Sequence, residues 1–282
     1  MKKQMIAAAI AAAVAAPAAM ADVKISGGVI SEWWKTDGGD LSSGVNADVN
    51  FSGSEDLGNG MSAFFKYNTQ QDNGTDNLGN NTTVVGLKGG FGTVTMGVQE
   101  MLMESKVAAM AANDASHDLS NEVTYGLGNT ADATLTYVSP SMNGLTVGLS
   151  ARGQAGNDDI DTTDLMVQYS GNGLTVRAGV ADDDVAGQDA KGIGASYTMG
   201  ALKVGAVYME QNDVDETWLG AAYTMGNNTF AVSTTNSDTA NNEDTIFSVK
   251  HALSKRTNAY VVYEDDGQAD NNTTMVGIKH AF

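Results

Sequence analysis

Leu165-Met166-Val167-Gln168-Tyr169, then Ser170-Gly171-Asn172-Gly173, then Leu174-Thr175-Val176-Arg177-Ala178-Gly179-Val180 is the stretch on which the fold turns. Each flanking run places apolar residues at every second position, the mark of a strand with one face in an apolar medium. The Gly/Asn segment between them is turn chemistry, so the unit is a hairpin. The same unit recurs along the chain. Tyr137, Tyr169, Tyr197 and Tyr223 each precede a short turn, at spacings of 32, 28 and 26 residues, and His251 follows Tyr223 by 28. A period near 28 that ends on an aromatic and a short turn is one up-and-down hairpin, repeated.

The other connections have a different composition. Segments 35–44, 70–81, 153–162, 182–190, 211–215, 236–243 and 266–272 are crowded with Asp, Asn, Gly and Thr. Short turns at one end and longer polar loops at the other describe an all-β fold, a transmembrane antiparallel up-and-down β-barrel with a tyrosine girdle at the short-turn interface. Sixteen strands are counted, at 22–34, 45–55, 61–69, 82–88, 93–99, 131–139, 145–152, 163–170, 174–181, 191–199, 202–210, 216–224, 229–235, 244–252, 258–265 and 273–282. Fourteen remain if the weak runs between 82 and 99 fail.

Residues 1–21 stand apart from this pattern. Lys2 and Lys3, an Ala-rich apolar run from Ile6 to Val14 and Ala19-Met20-Ala21 have the layout of a secretory signal cleaved after Ala21. The barrel domain is then 22–282, 282 − 21 = 261 residues, and losing two lysines moves the net charge from −19 to −21. No later apolar run is long enough for a membrane helix. With no Cys, disulfide scaffolds, zinc-thiolate sites and cysteine nucleophiles are excluded. The acidic balance argues against nucleic acid as a partner.

With the outward face fixed by its apolar residues, Lys24, Lys66, Lys88, Arg152, Arg177, Lys203, Lys250 and Lys279 fall on the lumen side, with Glu32, Asp48, Asp164 and Glu264. A lysine or arginine facing lipid at mid-bilayer costs about 2–4 kcal/mol, so inward placement is what a lipid-facing barrel requires. Glu55 and Glu210 break the parity at strand ends. A soluble sandwich would alternate too, but Lys, Arg, Ser, Thr, Asn and Gly cannot fill a core, so the interior reads as water.

One connection, 100–130, is far longer than a hairpin needs and begins with helix-forming residues. It is the third of the long loops and is expected to fold into the lumen. Met101, Leu102, Met103, Val107 and Met110 would pack on the inner wall, while Glu100, Glu104, Asp114, Asp118 and Glu122 face the basic wall. Opposed charges of this kind set up a transverse field that favours polar solutes.

These residues resemble a family, the general trimeric porins of the Gram-negative outer membrane, of the sixteen-stranded non-specific diffusion type. Asp22-Val-Lys-Ile-Ser-Gly27 is similar to its first strand and Gly89-Gly-Phe-Gly-Thr-Val-Thr-Met-Gly97 to the hairpin before its constriction loop. Tyr137-Val-Ser-Pro-Ser-Met-Asn-Gly-Leu145 resembles the turn after that loop, Leu253-Ser-Lys-Arg-Thr257 the last periplasmic turn, and His280-Ala-Phe282 the aromatic ending. Two departures stand out: Val98-Gln99 replaces a pore-facing arginine, and the loop lacks a Pro-Glu-Phe-Gly segment. The resemblance implies a homotrimer in outer-membrane lipid and lipopolysaccharide, with Phe282 read by the barrel assembly machinery. It implies passive diffusion of ions and small hydrophilic solutes, and no enzyme.

Two rival functions remain. A barrel hydrolase would need a base from His117, His251 or His280, and only Asp114, Ser116 and His117 gather suitable groups. A substrate-selective channel, for an oligosaccharide for example, would need lumen aromatics, for which Trp34, Phe64 and Tyr260 are the inward candidates. No cofactor is implied, and neither Asn157–Asp161 nor Asp182–Asp184 has calcium-loop spacing, so no metal is expected. Weak cation selectivity is expected, since the acidic loop sits where the field is focused.

Overall fold

A computed structural model describes residues 23–71, 79–111, 133–153, 160–184, 189–238, 242–267 and 271–282. Sixteen antiparallel strands close on themselves. They are β1 (Lys24–Thr36), β2 (Leu41–Gly58), β3 (Met61–Gln71), β4 (Gly79–Gly89), β5 (Gly92–Val98), β6 (Ala133–Val138), β7 (Leu145–Gly153) and β8 (Thr162–Gly171). The second half comprises β9 (Leu174–Asp183), β10 (Ala190–Met199), β11 (Leu202–Gln211), β12 (Val214–Met225), β13 (Asn228–Ser237), β14 (Asn242–Ala252), β15 (Thr257–Asp266) and β16 (Thr273–Ala281). Each strand pairs with its sequence neighbours, and β16 returns to β1, so no edge is left unpaired within the membrane.

The seam between chain ends extends past the strands. The Gly27 N–H donates to the Phe282 carbonyl at 3.1 Å, and the Phe282 N–H donates to the Gly27 carbonyl at 3.0 Å. The weak runs on either side of residue 90 form full partners, β4 and β5, so the count is sixteen and not fourteen. One connection differs from the expectation of a polar loop over 211–215. Only Asn212 and Asp213 lie outside the strands there, both at positive φ (54° and 58°), as a two-residue hairpin turn demands. Asn and Asp tolerate that backbone, so the same composition that reads as a loop also makes a tight turn.

Directly paired residues share a face, so the register sorts every side chain as inward or outward. Val180, Leu219 and Phe247 on the outer face are 52%, 51% and 51% exposed, a surface that only lipid makes tolerable. The Tyr137, Tyr169, Tyr197 and Tyr223 rings all lie on this face beside the short turns, and the Tyr137 hydroxyl donates to the Phe91 carbonyl at 2.8 Å. His251 and His280 join the same belt, their Nδ1 atoms 2.8 Å from Asn228 Oδ1 and Thr257 Oγ1 respectively. Glu210 also points outward, where it meets Lys191 Nζ at 2.7 Å.

Candidate pore and its narrowing

The register carries the lumen face from strand to strand. Lys24 pairs with Ser52, Ser52 with Lys66, and Lys66 with Val84. The same rule puts Lys88, Arg152, Arg177, Lys203, Lys250, Lys279 and Asp48 inward with them. Lys24, Lys66, Lys88, Lys203 and Lys279 are exposed to the open interior, while Arg152, Arg177, Lys250 and Asp48 are half-buried.

Height along the strands sorts these charges. Lys24, Lys88, Lys203, Lys250 and Lys279 all lie within a few residues of the short-turn end. At the long-loop end the charged inward side chains are acids: Asp183, Glu216, Asp244, Glu264 and Asp266, with Glu32 and Asp164 buried among them. Each end has one exception. Arg152 at the upper rim is neutralised by Asp183, 3.5 Å away, and donates to Thr162 Oγ1 at 2.8 Å. Asp56 at the lower rim accepts the Gly58 N–H at 2.8 Å within its own turn. Parity alone points to four lumen acids; the register adds Asp56, Asp183, Glu216, Asp244 and Asp266, which lie at strand ends where the alternation is masked by polar composition.

After β5 the chain turns off the wall. Met103–Val107 form a wide helical turn that tightens into Ala108–Ala111. Two wall side chains fix its start: Asp164 Oδ2 accepts the Met103 N–H at 2.8 Å, and Ser150 Oγ accepts the Leu102 N–H at 3.3 Å. Both acceptors stand on inward positions of β8 and β7. Leu102, Met103 and Val107 then bury themselves with Met166, Ala181, Val207 and Trp218 of the inner wall. Full burial of side chains of this size is worth about 1.5–3 kcal/mol each.

Glycines make room for this docking. A Cβ at Gly148 would run into Leu102, one at Gly179 into Met103 and one at Gly194 into Met110. All three glycines occupy inward positions, so the wall carries sockets where other strands carry side chains. Residues 101–111 therefore lie against the inner wall of the barrel, with Met101 buried as well.

The charged residues of this segment divide. Glu100 is exposed, whereas Glu104 is half-buried with its Oε2 shut off from solvent. Lys106 is exposed, and its carbonyl accepts the Arg177 Nη1–H at 2.8 Å. Desolvation, then the charges of Arg177 and Lys66, hold the Lys106 pKa below its ordinary value, with Glu100 acting in the opposite sense. Lys66 stands on β3 and Arg177 on β9, so the Lys106 ammonium feels bases of two different parts of the wall. The described part of the segment thus offers one base and one open acid to the gap. Asp114, Asp118, Glu122, Ser116 and His117 lie outside the described residues.

Gln99 Nε2 donates to Thr95 Oγ1 at 3.0 Å and Thr136 Oγ1 at 3.1 Å. Among the described residues the inward aromatics are Trp34, Phe64 and Tyr260, as expected, and also Trp218. Tyr260 donates its hydroxyl to Glu32 Oε1 and lies over Gly277, and Phe64 lies over Gly86. Trp218 is 6% exposed and spreads over Gly220 and Gly205. Its signal in the sequence was its even parity with Glu216 and Gly220, obscured because Trp is read first as a membrane-belt residue.

A profile of the family described as Gram-negative porin matches residues 7–273. The chain belongs to the Gram-negative porin family. This porin is an integral outer-membrane protein, and its fold agrees with solved porins. Salmonella typhi OmpF superposes with a TM-score of 0.77 over 92% of this chain and 97% of that one, at 16% identity. A mutant of Rh. blastica porin gives 0.76 over 92% and 100%, at 15% identity. Among curated proteins, a monosaccharide porin of Halomonas sp and the major outer membrane protein of Halomonas elongata are each 29% identical over 149 residues. That match takes in 49% of this porin and 34% of each relative, so it spans about a third of their length.

Proposed function

We propose that this porin is a general diffusion channel, passing ions and small hydrophilic solutes passively through a water-filled lumen narrowed by the segment after β5. The observation that carries the reading is an inner wall of charged and small polar side chains, with the segment 101–111 docked against it. Polar walls admit hydrated solutes, and a narrowing with charges on both sides favours polar over apolar ones. The ion preference proposed is weakly cationic, supported by the net charge of −19 and the acids at the long-loop end. The bases Lys66, Lys106 and Arg177 oppose it at mid-height, so the selectivity is small. Residues 1–21 are proposed as a cleaved signal, and the assembled form as a homotrimer among lipopolysaccharide. Phe282 is proposed as the residue read during insertion.

Refolded protein in a planar bilayer under a potassium chloride gradient tests this. Large, mostly open steps in threes with a cation-side reversal potential are expected. An anion-side reversal would transfer control to the Lys66, Lys106 and Arg177 level, and folded protein without conductance would end the channel reading. A second reading, selectivity for a monosaccharide, is favoured by the name of the Halomonas relative and by the inward rings of Trp34 and Tyr260. Saturable block of the current by a monosaccharide would decide for it.

A further inference from the structure

On the inner wall below the docked segment, β10 to β14 enclose a recess of about 330 Å³. It exists because the wall there is built from very small side chains: Gly205, Gly220, Ala222, Ala231, Thr229 and Ser248 form its floor. Met110 stands at one side and Trp218 at another, and both known inward lysines of this wall, Lys203 and Lys250, belong to its lining. Lys203 pairs with Ala222, Ala222 with Ala231, and Ala231 with Ser248, the near neighbour of Lys250 on β14. Three strand spacings across the wall and two residues along β14 separate the two lysine backbones, about 16 Å, so the two ammoniums flank the recess from opposite sides. Among the described residues Trp218 Nε1 has no acceptor, although Trp218 is 6% exposed. Nε1 is itself shut off from solvent, so what Trp218 offers the recess is the flank of its ring.

The charges around the recess say what that is. Every charged inward side chain near the short-turn end that is not engaged in its own turn is a base, and no carboxylate belongs to the recess lining. Anions therefore concentrate at this end of the lumen. A floor of small side chains, Gly and Ala with Thr229 and Ser248, beside an aromatic ring suits a planar or aliphatic body, and two ammoniums suit a carboxylate or sulfonate at its edge.

Given the channel function proposed above, we infer that this recess is a binding subsite for small organic anions on their way through the lumen, held by Lys203 and Lys250 over the Ala/Gly floor beside Trp218. The subsite makes transport of such anions saturable while inorganic ions pass it by.

The test uses full-length porin carrying Trp33→Phe and Trp34→Phe, so that Trp218 is the sole indole. The probe is 4-nitrobenzoate, an anion that quenches indole fluorescence, with neutral 4-nitrobenzamide as its counterpart. Saturable quenching in detergent by the anion is expected, together with block of the potassium chloride current when it is added on the short-turn side. Lys203→Gln with Lys250→Gln should weaken both by about tenfold, the loss of charge-assisted contacts. Equal quenching by the amide, or equal affinity in the double variant, overturns the subsite. Open channels without block also overturn it and leave the channel reading intact. Saturable quenching in a protein without conductance keeps the subsite and overturns the channel.

Discussion

Asp164 is the group whose removal tells most about the narrowing. Its carboxylate accepts the Met103 N–H at 2.8 Å, and Ser150 adds a longer contact to Leu102 at 3.3 Å. A buried hydrogen bond to a charged acceptor contributes about 1.5–3 kcal/mol. The apolar part of the docking, Leu102, Met103 and Val107 in the wall cluster, contributes at least about 5 kcal/mol by burial. Asp164→Ala therefore removes a minor share of the attachment, and the segment stays docked most of the time. A loss of about 2 kcal/mol raises the undocked population by about thirtyfold. Single-channel records should show brief excursions to a higher conductance, rare in the parent and frequent in Asp164→Ala, over an unchanged main level. Asp164→Asn keeps a neutral acceptor in the same place and should fall between the two. Adding Gly179→Leu, which fills the socket of Met103, should turn excursions into a stable higher level. A quiet Asp164→Ala channel indistinguishable from the parent would refute the tether, and a lower main level in the Gly179→Leu double variant would refute the docking.

Deleting residues 104–116 should raise the conductance outright, and an unchanged value would remove the segment from the conduction path. The separation of lower bases from upper acids makes an axial dipole, so the current should rectify at 0.1 M salt and become linear near 1 M, where the Debye length falls from about 10 to about 3 Å; linear curves at both concentrations would refute it. Lys106 has a pKa below its ordinary 10.5, so the docked segment binds fewer protons than a free one and docking strengthens as pH rises through the window below 10.5. In that window the reversal potential should move toward cations ahead of an unperturbed lysine, and Lys106→Gln should show the shifted value already at neutral pH. A titration identical in Lys106→Gln would assign the shift to the wall lysines instead.

The strand count and face assignment were legible because period-two alternation depends only on neighbours along the chain. Val176-Arg177-Ala178 carries its own orientation, and β8 to β16 agree with the alternation within two or three residues at each end. What depends on three-dimensional height was harder to read. Asp183, Glu216, Asp244 and Asp266 sit where strand passes into acidic loop, and composition there speaks for both. Glu104 belongs by sequence with the acids expected to face the gap, but its carboxylate turns in part toward the wall, because a helical turn of that width decides which way each residue points. Lys106, the single lysine or arginine of that segment, looks incidental in a run of acids, yet its ammonium feels both Lys66 and Arg177.

The glycines connect these observations. At Gly148, Gly179 and Gly194 a missing side chain is filled by Leu102, Met103 and Met110, and the lumen is narrowed. At Gly205 and Gly220, under Trp218, the missing side chains are filled by a ring of the wall itself, and the small residues beyond it leave a recess. A strand interior loses stability with each glycine, about 0.5–1 kcal/mol relative to alanine, so their concentration on inward positions of β7 to β12 calls for a compensating contact. Leu102, Met103 and Met110 supply it on one side, and Trp218 supplies it on the other. Alanine at Gly179 should therefore destabilise the docked segment despite alanine's better strand behaviour, while alanine at Gly200, whose added Cβ meets nothing, should leave the docking untouched and cost only the strain of its φ of +59°.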